Sequence, residues 1–455
     1  MDLRRLSRVL VFGWLFGAGL AAVAQQPGML GGGAQTEAHP PVVIHSGHGP
    51  NSEQALKQHY VVLVSLDGFR WDYARKYNAT HLLALGKQGV WAPEGMIPSY
   101  PSLTFPNHYA IVTGLYPEHN GLVANGFIDM QREAEGKPAR YGNANPQAVT
   151  DGGWYSGVPL WSLAEQQGMR SACLFWPGSE AEIAGQRPSD YLKFDDSVDE
   201  IARIDQVLAW LNEPPADRPH FITLYYSDVD HAGHEFGPDA AQTRDAVVRV
   251  DKLVGNLRIA LDSTHLPIDL IVVSDHGMAK IQGPWINLDA FADLAGFEVF
   301  GQLLYGKTEA DRARVYNQLK KASEKFQVYR LKDVPAGLHY NENPRAGDPV
   351  VVSTGPYAIR AHSPEPGRPD SEPVGQHGFD PRSMPEMKAS FFAAGPDIVA
   401  GKTVAPFENV NLYPWIAHIL GLTPPKSDGD INVLAGTLRD NGDGSSAVDA
   451  SPSKE

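Results

Sequence analysis

The chain has 455 residues but only one cysteine, Cys173. An intramolecular disulfide is therefore excluded, so a buried apolar core must stabilise the fold, and a chain of this length can build a large one. Cys173 lies in the apolar run from Ser171 to Trp176. This setting is typical of a small buried side chain and not of a reactive thiol.

Positively charged residues are also scarce. Lys and Arg number 38, against 53 Asp and Glu, which gives a formal net charge of -15 at pH 7. A surface of this sign repels nucleic acid and anionic lipid headgroups, so we expect no stable nucleic-acid complex. An anionic substrate would need a local positive centre, which bound metal cations can supply. We expect the protein to be a monomer.

Long apolar runs are missing after the first 24 residues, so we expect no membrane span in the mature chain. The first residues combine three arginines with an apolar run from Val9 to Ala21 and the small-residue pattern Ala22-Val23-Ala24. This combination is typical of a cleaved secretory signal peptide, and an uncleaved anchor is the alternative. We therefore expect export to a periplasm or to the cell exterior.

Composition divides the rest of the chain. Residues 25–58 are rich in Gly, Pro and polar side chains, which predicts a flexible linker. We expect one large domain over residues 59–438, with an inserted subregion at about residues 283–355. The Gly/Ser/Asp-rich end, residues 439–455, predicts a disordered tail.

Apolar runs and helical patterns alternate within the large domain. The runs predict strands covered on both faces, and they are Val61–Leu66, Ala172–Phe175, Phe221–Tyr226, Leu270–Val273 and Ser390–Ala394. Apolar residues at helical spacing lie between Val198 and Leu211 and between Val247 and Leu261, and a charged helix is predicted from Glu309 to Phe326. We therefore expect an α/β fold with a mostly parallel central sheet and helices on both faces.

Acidic residues and histidines follow three of the predicted strands. They occur in the segments Asp67-Gly68, Asp228 to His234 and Asp275-His276. The carboxyl ends of parallel strands meet at one edge of a sheet, where uncompensated acids would repel one another. Divalent metals remove that conflict, and a mixed set of carboxylates and imidazoles suits zinc. Taken singly, each residue could instead cap a turn or be a hydrogen-bonded core histidine.

Two further segments carry groups of the same chemistry. His377 lies between glycines, where the backbone can approach a metal or ligand closely. Thr104 precedes Pro106 at the start of a predicted short helix. One interpretation is that Thr104 simply serves as the N-cap of this helix. The alternative is that the helix N-terminus attracts phosphate and that a metal-bound Thr104 hydroxyl becomes a nucleophile.

In this order the motifs resemble the nucleotide pyrophosphatase/phosphodiesterase family of the alkaline phosphatase superfamily. The resemblance runs from about Tyr60 to Leu422, and its matching stretches are Ser65–Phe69, Thr104–His108, Gly114–Gly121, Phe175–Glu180, Asp230–Pro238, Ser274–Met278 and Gly375–Asp380. It implies an alkaline-phosphatase-like fold. It also implies hydrolysis of nucleoside 5'-phosphodiesters and nucleoside triphosphates to nucleoside 5'-monophosphates through a phosphothreonine intermediate.

The same resemblance implies roles for single residues and two Zn²⁺ ions per chain. One zinc would be bound by Asp67, Thr104, Asp275 and His276, and the other by Asp230, His234 and His377. Family spacing favours Asp230 over Asp228 as the ligand. Thr104 would be the nucleophile and Asn125 would bind a phosphate oxygen. Phe105 and Tyr225 would hold a nucleobase, and Tyr191 is expected to form another pocket wall.

The substrate class is less sharply defined by these residues. No arginine adjoins Thr104 in the sequence and Asn125 is neutral, which favours a diester over a monoester dianion. Aromatic walls suit a nucleobase but also suit choline through cation–π contacts. A phospholipid or choline-ester phosphodiesterase therefore stays open. A sulfatase would need a different nucleophile motif, and a zinc-stabilised binding protein would be expected to lack one of these site residues.

Overall fold

The computed structural model describes residues 39–365 and 371–439. Its strands, in chain order, are β1 (Ile44–His45), β2 (Tyr60–Leu66), β3 (Val90–Trp91), β4 (Gly126–Ala134), β5 (Lys137–Gly142), β6 (Ser171–Leu174), β7 (Asp190–Leu192), β8 (Phe221–Tyr226), β9 (Ile268–Val273), β10 (Ala279–Lys280), β11 (Ile286–Asn287), β12 (Phe297–Phe300), β13 (Leu303–Gly306), β14 (Phe326–Tyr329), β15 (Val350–Ser353), β16 (Ile359–Arg360), β17 (Gly375–Gln376), β18 (Phe391–Ala394) and β19 (Lys402–Thr403). The predicted signal peptide lies outside the described residues, as does the predicted tail beyond Arg439.

Nine of the strands form one sheet in the order β1-β7-β6-β8-β2-β9-β18-β3-β19. The central strands β7, β6, β8, β2 and β9 run parallel, whereas β18 is antiparallel to both β9 and β3. Every residue of β2, β8 and β9 is buried. The prediction of an α/β fold with a mostly parallel central sheet is therefore confirmed, and each predicted apolar run forms a strand of this sheet.

The α-helices, in chain order, are α1 (Tyr73–Lys76), α2 (Thr80–Gln88), α3 (Thr104–Thr113), α4 (Pro117–Asn120), α5 (Pro146–Val149), α6 (Leu160–Gln166), α7 (Glu200–Leu211), α8 (Asp228–Phe236), α9 (Ala241–Ser263), α10 (Glu309–Leu319) and α11 (Leu412–Ile419). None of the helices in the described residues has the length and apolar character needed to cross a membrane.

Apolar side chains cover both faces of the sheet. Val61 and Leu63 of β2 belong to one core cluster, together with residues of α3, α6 and α11. Val62 and Val64 belong to a second cluster, which includes residues of α2, α7 and α9. This division follows from the two-residue period of a strand, and it explains why the strand sequences are apolar throughout.

Two helix predictions need correction. The predicted apolar face of α7 is buried at Ile204 and Leu211, but Ile201 is 46% exposed. Val207 and Trp210, which were not predicted, are buried as well. The charged helix α10 ends at Leu319, and Phe326 begins β14. In β14, Phe326 and Val328 are buried while Gln327 is exposed, which is the two-residue period of a strand and not a helical period.

Residues between 283 and 355 contribute no strand to the nine-stranded sheet. Their strands form two-stranded pairs, among them β12 with β13 and β14 with β15. Leu304, Val315 and Val351 pack together in a separate small cluster. Tyr305 and Val350, however, belong to the core cluster that contains Val61 and Leu63 of β2, so this subregion is anchored to the rest of the fold.

The prediction of a flexible linker is wrong for its described part, residues 39–58. The strand β1 pairs antiparallel with β7, with Ile44 in register with Tyr191. The buried side chain of Asn51 donates hydrogen bonds to the carbonyl oxygens of Pro215 and Arg218. Backbone pairing and a buried amide thus fix a segment whose composition alone is typical of a loop.

Candidate active site

The three predicted carboxylates meet at the carboxyl edge of the central strands. Asp67 directly follows β2, Asp275 lies two residues beyond β9, and Asp230 is in α8, which begins just after β8. The turn at Gly68 has a φ of 65°, and a Cβ there would lie 2.9 Å from the Cα of Asp230. Glycine therefore permits the close approach that brings Asp67 against α8.

The first group of side chains surrounds His276. Its Nε2 atom lies 2.9 Å from Oδ2 of Asp275 and 3.6 Å from Oδ1 of Asp67. The Thr104 hydroxyl oxygen is 3.3 Å from the same nitrogen. Except for Thr104, which lies at the accessible side, these groups are almost completely buried. The structure thus brings together all four residues of the first predicted zinc site.

The second group adjoins the first. His234 Nε2 lies 3.1 Å from His377 Nε2, and these two nitrogens are 3.5 Å and 3.7 Å from the carboxylate oxygens of Asp230. Asp230 and His234 are four residues apart in α8, which places them on one face of the helix. The rings of His276 and His377 stack with centroids 3.6 Å apart, so the two groups share a boundary.

Backbone carbonyls determine which nitrogen of each histidine carries the proton. Nδ1 lies 2.9 Å from Gly375 O in His234, from Gly277 O in His276 and from Ser102 O in His377. A carbonyl oxygen can only accept, so each Nδ1 must donate. In the neutral ring, each Nε2 then presents a lone pair to the site, which is the arrangement found in metal-ligating histidines.

These lone pairs face other lone pairs. Two imidazole nitrogens oppose each other across 3.1 Å, and the buried oxygens Asp67 Oδ1, Asp230 Oδ1 and Asp275 Oδ2 have no hydrogen-bond donor among the described residues. Buried acceptors without donors are costly, and cations relieve that cost. The donor set of carboxylates, imidazoles and one hydroxyl therefore fits divalent metal ions, zinc in particular.

Grouping the possible metal-ligand atoms by the distances between them gives slightly different sets from the two predicted zinc sites. His276 falls with Asp230 and His377, while Asp67 and Asp275 fall with His108. His108 was missed as a site residue, although it lies in the Thr104–His108 stretch. Its nitrogens are already engaged, Nδ1 with Thr104 O at 2.9 Å and Nε2 with Ser65 Oγ at 2.8 Å. We therefore interpret His108 as a residue that positions Thr104 and not as a metal ligand.

Burial and the neighbouring charges shift the pKa values of the site residues in different directions. Burial, with the charges of Asp275 and Asp230, raises the pKa of Asp67 well above its ordinary value. Burial acts in the same direction on Asp275, but His276 and His108 outweigh it and lower the pKa of Asp275. Burial and the neighbouring His276 lower the pKa of His377 to about 3, so this ring is neutral at physiological pH.

Thr104 is the first residue of α3 and not its N-cap. Leu103 holds the N-cap position, and its own side chain makes no capping hydrogen bond. The alternative interpretation of Thr104 as an N-cap is therefore not supported, since its hydroxyl lies 3.3 Å from His276 Nε2. The completely buried Asn107 anchors the preceding loop by donating hydrogen bonds to the carbonyl oxygens of Ser99, Pro101 and Leu103.

Asn125 lies beside Thr104 at the same helix end. Its Oδ1 atom accepts a hydrogen bond of 2.9 Å from the backbone N–H of Phe105. This bond occupies the acceptor end of the amide and leaves the Nδ2 group as the donor end. The side chain is only partly buried, so a ligand at Thr104 can reach it.

Aromatic side chains lie beside the carboxylates. The Tyr225 hydroxyl donates to Asp67 Oδ2 at 2.6 Å, and the Phe194 ring, 52% exposed, lies 6.0 Å from the Tyr225 ring. Phe194 was missed because it lies in a loop, and its only sequence signal is an aromatic residue shortly after a strand. Tyr191 is buried in β7 in a different core cluster from Tyr225, and its role as a pocket wall stays a prediction.

Buried carboxylates and imidazoles beside an accessible hydroxyl, at the carboxyl edge of a parallel sheet, define a candidate metal-assisted hydrolase. Comparison with known proteins is consistent with that class. The sequence model of the family described as type I phosphodiesterase/nucleotide pyrophosphatase matches residues 61–380. A Schizosaccharomyces pombe protein, described as an uncharacterized pyrophosphatase/phosphodiesterase, is 37% identical over 403 residues, covering 83% of this chain and 80% of the relative.

Two further relatives have more specific descriptions. Human bis(5'-adenosyl)-triphosphatase is 32% identical over 378 residues, covering 81% of this chain and 80% of that protein. The structure of murine ectonucleotide pyrophosphatase/phosphodiesterase 5, an inactive threonine-to-alanine variant in complex with AMP, matches with a TM-score of 0.77 and 28% identity. That match covers 84% of this chain and all of the murine one.

The chain belongs to the type I phosphodiesterase/nucleotide pyrophosphatase family. The predicted family, its hydrolase activity and the alkaline-phosphatase-like fold are confirmed.

Proposed function

We propose that this protein hydrolyses nucleoside 5'-phosphodiesters and nucleoside triphosphates to nucleoside 5'-monophosphates, with Thr104 as the nucleophile. The observation that carries this proposal is the convergence of three imidazole lone pairs and three donorless carboxylate oxygens beside the Thr104 hydroxyl. Such a site can hold two cations next to a hydroxyl at a helix N-terminus, where phosphate binds favourably.

Two zinc ions are the proposed cofactors. Asp67, Thr104, Asp275 and His276 would hold one ion, and Asp230, His234 and His377 would hold the other. Bound zinc would lower the pKa of the Thr104 hydroxyl and neutralise charge on the phosphate oxygens.

The chain's own groups have distinct parts in the reaction. Thr104 Oγ loses its proton to solvent and forms a bond to phosphorus while the bond from phosphorus to the leaving oxygen breaks. This gives a phosphothreonine, and the leaving group departs as an alcohol or a phosphate. Water then cleaves that ester and regenerates the hydroxyl. Asn125 Nδ2 donates a hydrogen bond to a phosphate oxygen, because its Oδ1 is held by Phe105 N–H. His108 fixes the first turn of α3 through Thr104 O.

The aromatic residues favour a nucleoside as the substituent on the phosphate. Phe105 adjoins the nucleophile and Tyr225 adjoins Asp67, while Phe194 exposes a ring face next to Tyr225. Stacking on such rings holds a nucleobase without reading its identity. The AMP complex of the murine relative and the diadenosine triphosphatase activity named for the human one support this substrate class.

A diester is favoured over a monoester. In the described residues, the polar contacts of the Thr104 and Asn125 side chains are with His276 and Phe105, and neither contacts an Arg or Lys. A monoester dianion would add a negative charge without a matching side chain. A neutral ester substituent, by contrast, needs only room and a surface to stack on.

We also propose that the protein is exported, through the signal peptide predicted for residues 1–24, to the periplasm or cell exterior. Expression of the full chain followed by N-terminal sequencing of the exported product tests this directly. A product beginning near Gln25 is expected. A product retaining its first residues in the membrane fraction would contradict it.

A substrate panel tests the function. Purified protein is given a nucleoside triphosphate, a nitrophenyl ester of a nucleoside monophosphate, a lysophosphatidylcholine and a simple phosphate monoester, with chelated protein as the control. Release of nucleoside 5'-monophosphate is expected to dominate. Faster turnover of the lipid would replace the substrate assignment and keep the site chemistry, and faster turnover of the monoester would overturn both.

A further inference from the structure

A second cluster of metal-binding side chains lies at the opposite edge of the sheet from Thr104. His59 directly precedes β2, Asp269 is the second residue of β9, and Asp397 follows β18 by three residues. Since β2 has seven residues, this edge is roughly 23 Å from the carboxyl edge that carries Asp67. The cluster is therefore separate from the catalytic groups.

The side chains of the cluster converge on one point. One ligand atom from each of His59, Asp269 and Asp397 lies within 4.8 Å of the other two. His59 Nδ1 is 2.7 Å from Asp397 Oδ2, and the Asp397 N–H donates to Asp269 Oδ1 at 3.1 Å. Two carboxylates and one imidazole thus meet at the start of the central strands.

Asp269 supplies a second and independent observation. It is 0% exposed, and its Oδ2 atom has no hydrogen-bond donor among the described residues. The Oδ1 atom of Asp269 thus accepts a hydrogen bond from Asp397 N–H, whereas its Oδ2 atom accepts none from the described residues. Burial and the neighbouring charge of Asp397 raise the pKa of Asp269 to about 8, so two negative charges at this edge of the sheet are unfavourable unless a cation accompanies them.

The backbone is shaped to admit Asp269. Gly395 follows β18, and a Cβ at Gly395 would lie 2.2 Å from Asp269 Oδ1. Only glycine permits the chain to pass this close. The charge of Arg439 acts to lower the pKa of Asp269, but its Nε donates to Ile398 O at 2.8 Å, and Asp269 Oδ2 has no hydrogen-bond donor among the described residues.

Solvent reaches the cluster from one side. The His59 side chain is 37% exposed. A cavity of about 340 Å³ is lined by chain neighbours of Asp269 and Asp397, namely Ile268, Gly395 and Pro396. An ion can therefore enter without unfolding of the sheet, with His59 as the outermost of the three side chains.

We propose that His59, Asp269 and Asp397 form a third metal site that binds a divalent transition-metal ion, Zn²⁺ or Mn²⁺. One imidazole and two carboxylates suit these ions, whereas Ca²⁺ and Mg²⁺ favour sets made only of oxygen. The site is structural, since it joins the start of β2, the start of β9 and the turn after β18. It supplies no group to the catalytic edge.

Metal stoichiometry tests the proposal. The full chain is equilibrated with buffered Zn²⁺, and bound zinc per chain is measured for the parent protein, His59→Gln and Asp397→Asn. Each variant is expected to hold one zinc fewer per chain and to keep the kcat of the parent. His265→Gln is the matched control, because this exposed histidine lies four residues before Asp269 and outside the cluster.

Titration calorimetry supplies a second readout, the affinity for Zn²⁺, which a general loss of stability in the variants would not change. Zn²⁺ is added to protein already loaded at its tighter sites. We expect a dissociation constant weaker by at least about tenfold in both variants, since loss of even an outer-shell partner costs that much. Equal zinc content and equal affinity in parent and variants would overturn the proposal and leave Asp269 and Asp397 as a proton-sharing carboxyl pair.

Discussion

Thr104 and Asn125 lie at the same helix end, but their polar atoms are occupied differently. The Asn125 oxygen already accepts from Phe105 N–H, whereas the hydrogen-bond partner of the Thr104 hydroxyl among the described residues is His276 Nε2. At this helix end Asn125 therefore offers an amide donor and Thr104 offers a hydroxyl. The assignments of nucleophile and phosphate donor follow from this difference between neighbouring residues.

Removal of the Thr104 hydroxyl tests the nucleophile. We expect Thr104→Ala to lower kcat by at least about 10³-fold, because no other side-chain hydroxyl of the described residues lies within hydrogen-bond distance of His276. Thr104→Ser, which keeps a hydroxyl at the same position, should recover much of the activity. Steady-state kinetics on a nitrophenyl nucleotide ester measures both. An alanine variant that retains most of the parent's kcat would rule out Thr104.

Two substitutions at Asn125 distinguish the role of its Nδ2 donor from the role of its Oδ1 acceptor. Asn125→Ala should lower kcat by about 10²–10³-fold, as loss of a charge-stabilising donor typically does. Asn125→Asp keeps the oxygen that accepts from Phe105 N–H but replaces the donor with a negative group. We therefore expect Asn125→Asp to be at least as impaired as the alanine variant. Near-normal kinetics in the aspartate variant would show that Asn125 only caps α3.

At the scale of elements, loops that follow strands deliver the site. The loop after β7 carries Phe194, and the Glu180 carboxylate fixes it by accepting a hydrogen bond of 2.9 Å from Phe194 N–H. The loop at 99–104 is tied to the loop at 375–379, since Ser102 O accepts from His377 Nδ1. The positions of Phe194 and His377 therefore depend on contacts between segments that are remote in sequence.

Substitution of Phe194 tests whether the neighbouring aromatic side chains Phe194 and Tyr225 bind a nucleobase. We expect Phe194→Ala to raise KM for nucleotide substrates by about tenfold, the loss of roughly one stacking contact. Hydrolysis of a nitrophenyl methyl phosphodiester, which carries no base, should be unchanged. Comparison of kcat/KM for the two substrates is the measurement. An equal loss on both would mean that Phe194 supports the fold and not the base.

The sequence predicted elements whose pattern is local. β2 and β8 are nearly continuous apolar runs, which predicted that the acids after them meet at one edge of the sheet, but the choice of Asp230 over Asp228 needed the family spacing. The hairpin of β4 and β5 was missed, although the positive φ angles of Glu135 and Gly136 mark a two-residue turn that Gly136 could have indicated. Phe194 and β1 could not be predicted, because only contacts with distant segments give them their structure.

At the scale of the whole molecule, one sheet separates two sets of acidic and imidazole side chains. Asp67 and Asp275 lie at the carboxyl edge, and His59 and Asp269 lie at the opposite edge. The acidic excess of the chain makes cation binding electrostatically favourable at both edges. Metal ions are thus expected to contribute to stability as well as to catalysis.

Chelation tests this dependence on metal. Removal of metal with a chelator should abolish activity and lower Tm, because the donorless oxygens of Asp67, Asp230 and Asp275 would then face one another. Added Zn²⁺ should restore both. Calorimetry and activity on the same samples are the measurements, with chelated and reloaded Thr104→Ala as a control for Tm. Full activity after complete removal of metal would contradict the account of the site.

Metal binding should also depend on pH. Burial lowers the pKa of His276, but Asp275 outweighs that effect and the net pKa is raised. A protonated imidazole cannot bind a metal ion, so acidification should release zinc, and a rise in pH should restore binding. Zinc content after dialysis at a series of pH values measures this. Zinc occupancy that falls as the pH rises would contradict the predicted sign.

The stereochemical course at phosphorus tests the central claim most directly. A nucleotide ester made chiral with sulfur at phosphorus is hydrolysed in isotopically labelled water, and the configuration of the product is determined. Two successive displacements through phosphothreonine invert the centre twice, so we predict overall retention. Overall inversion would mean that water attacks the substrate directly, and it would contradict a covalent intermediate on Thr104.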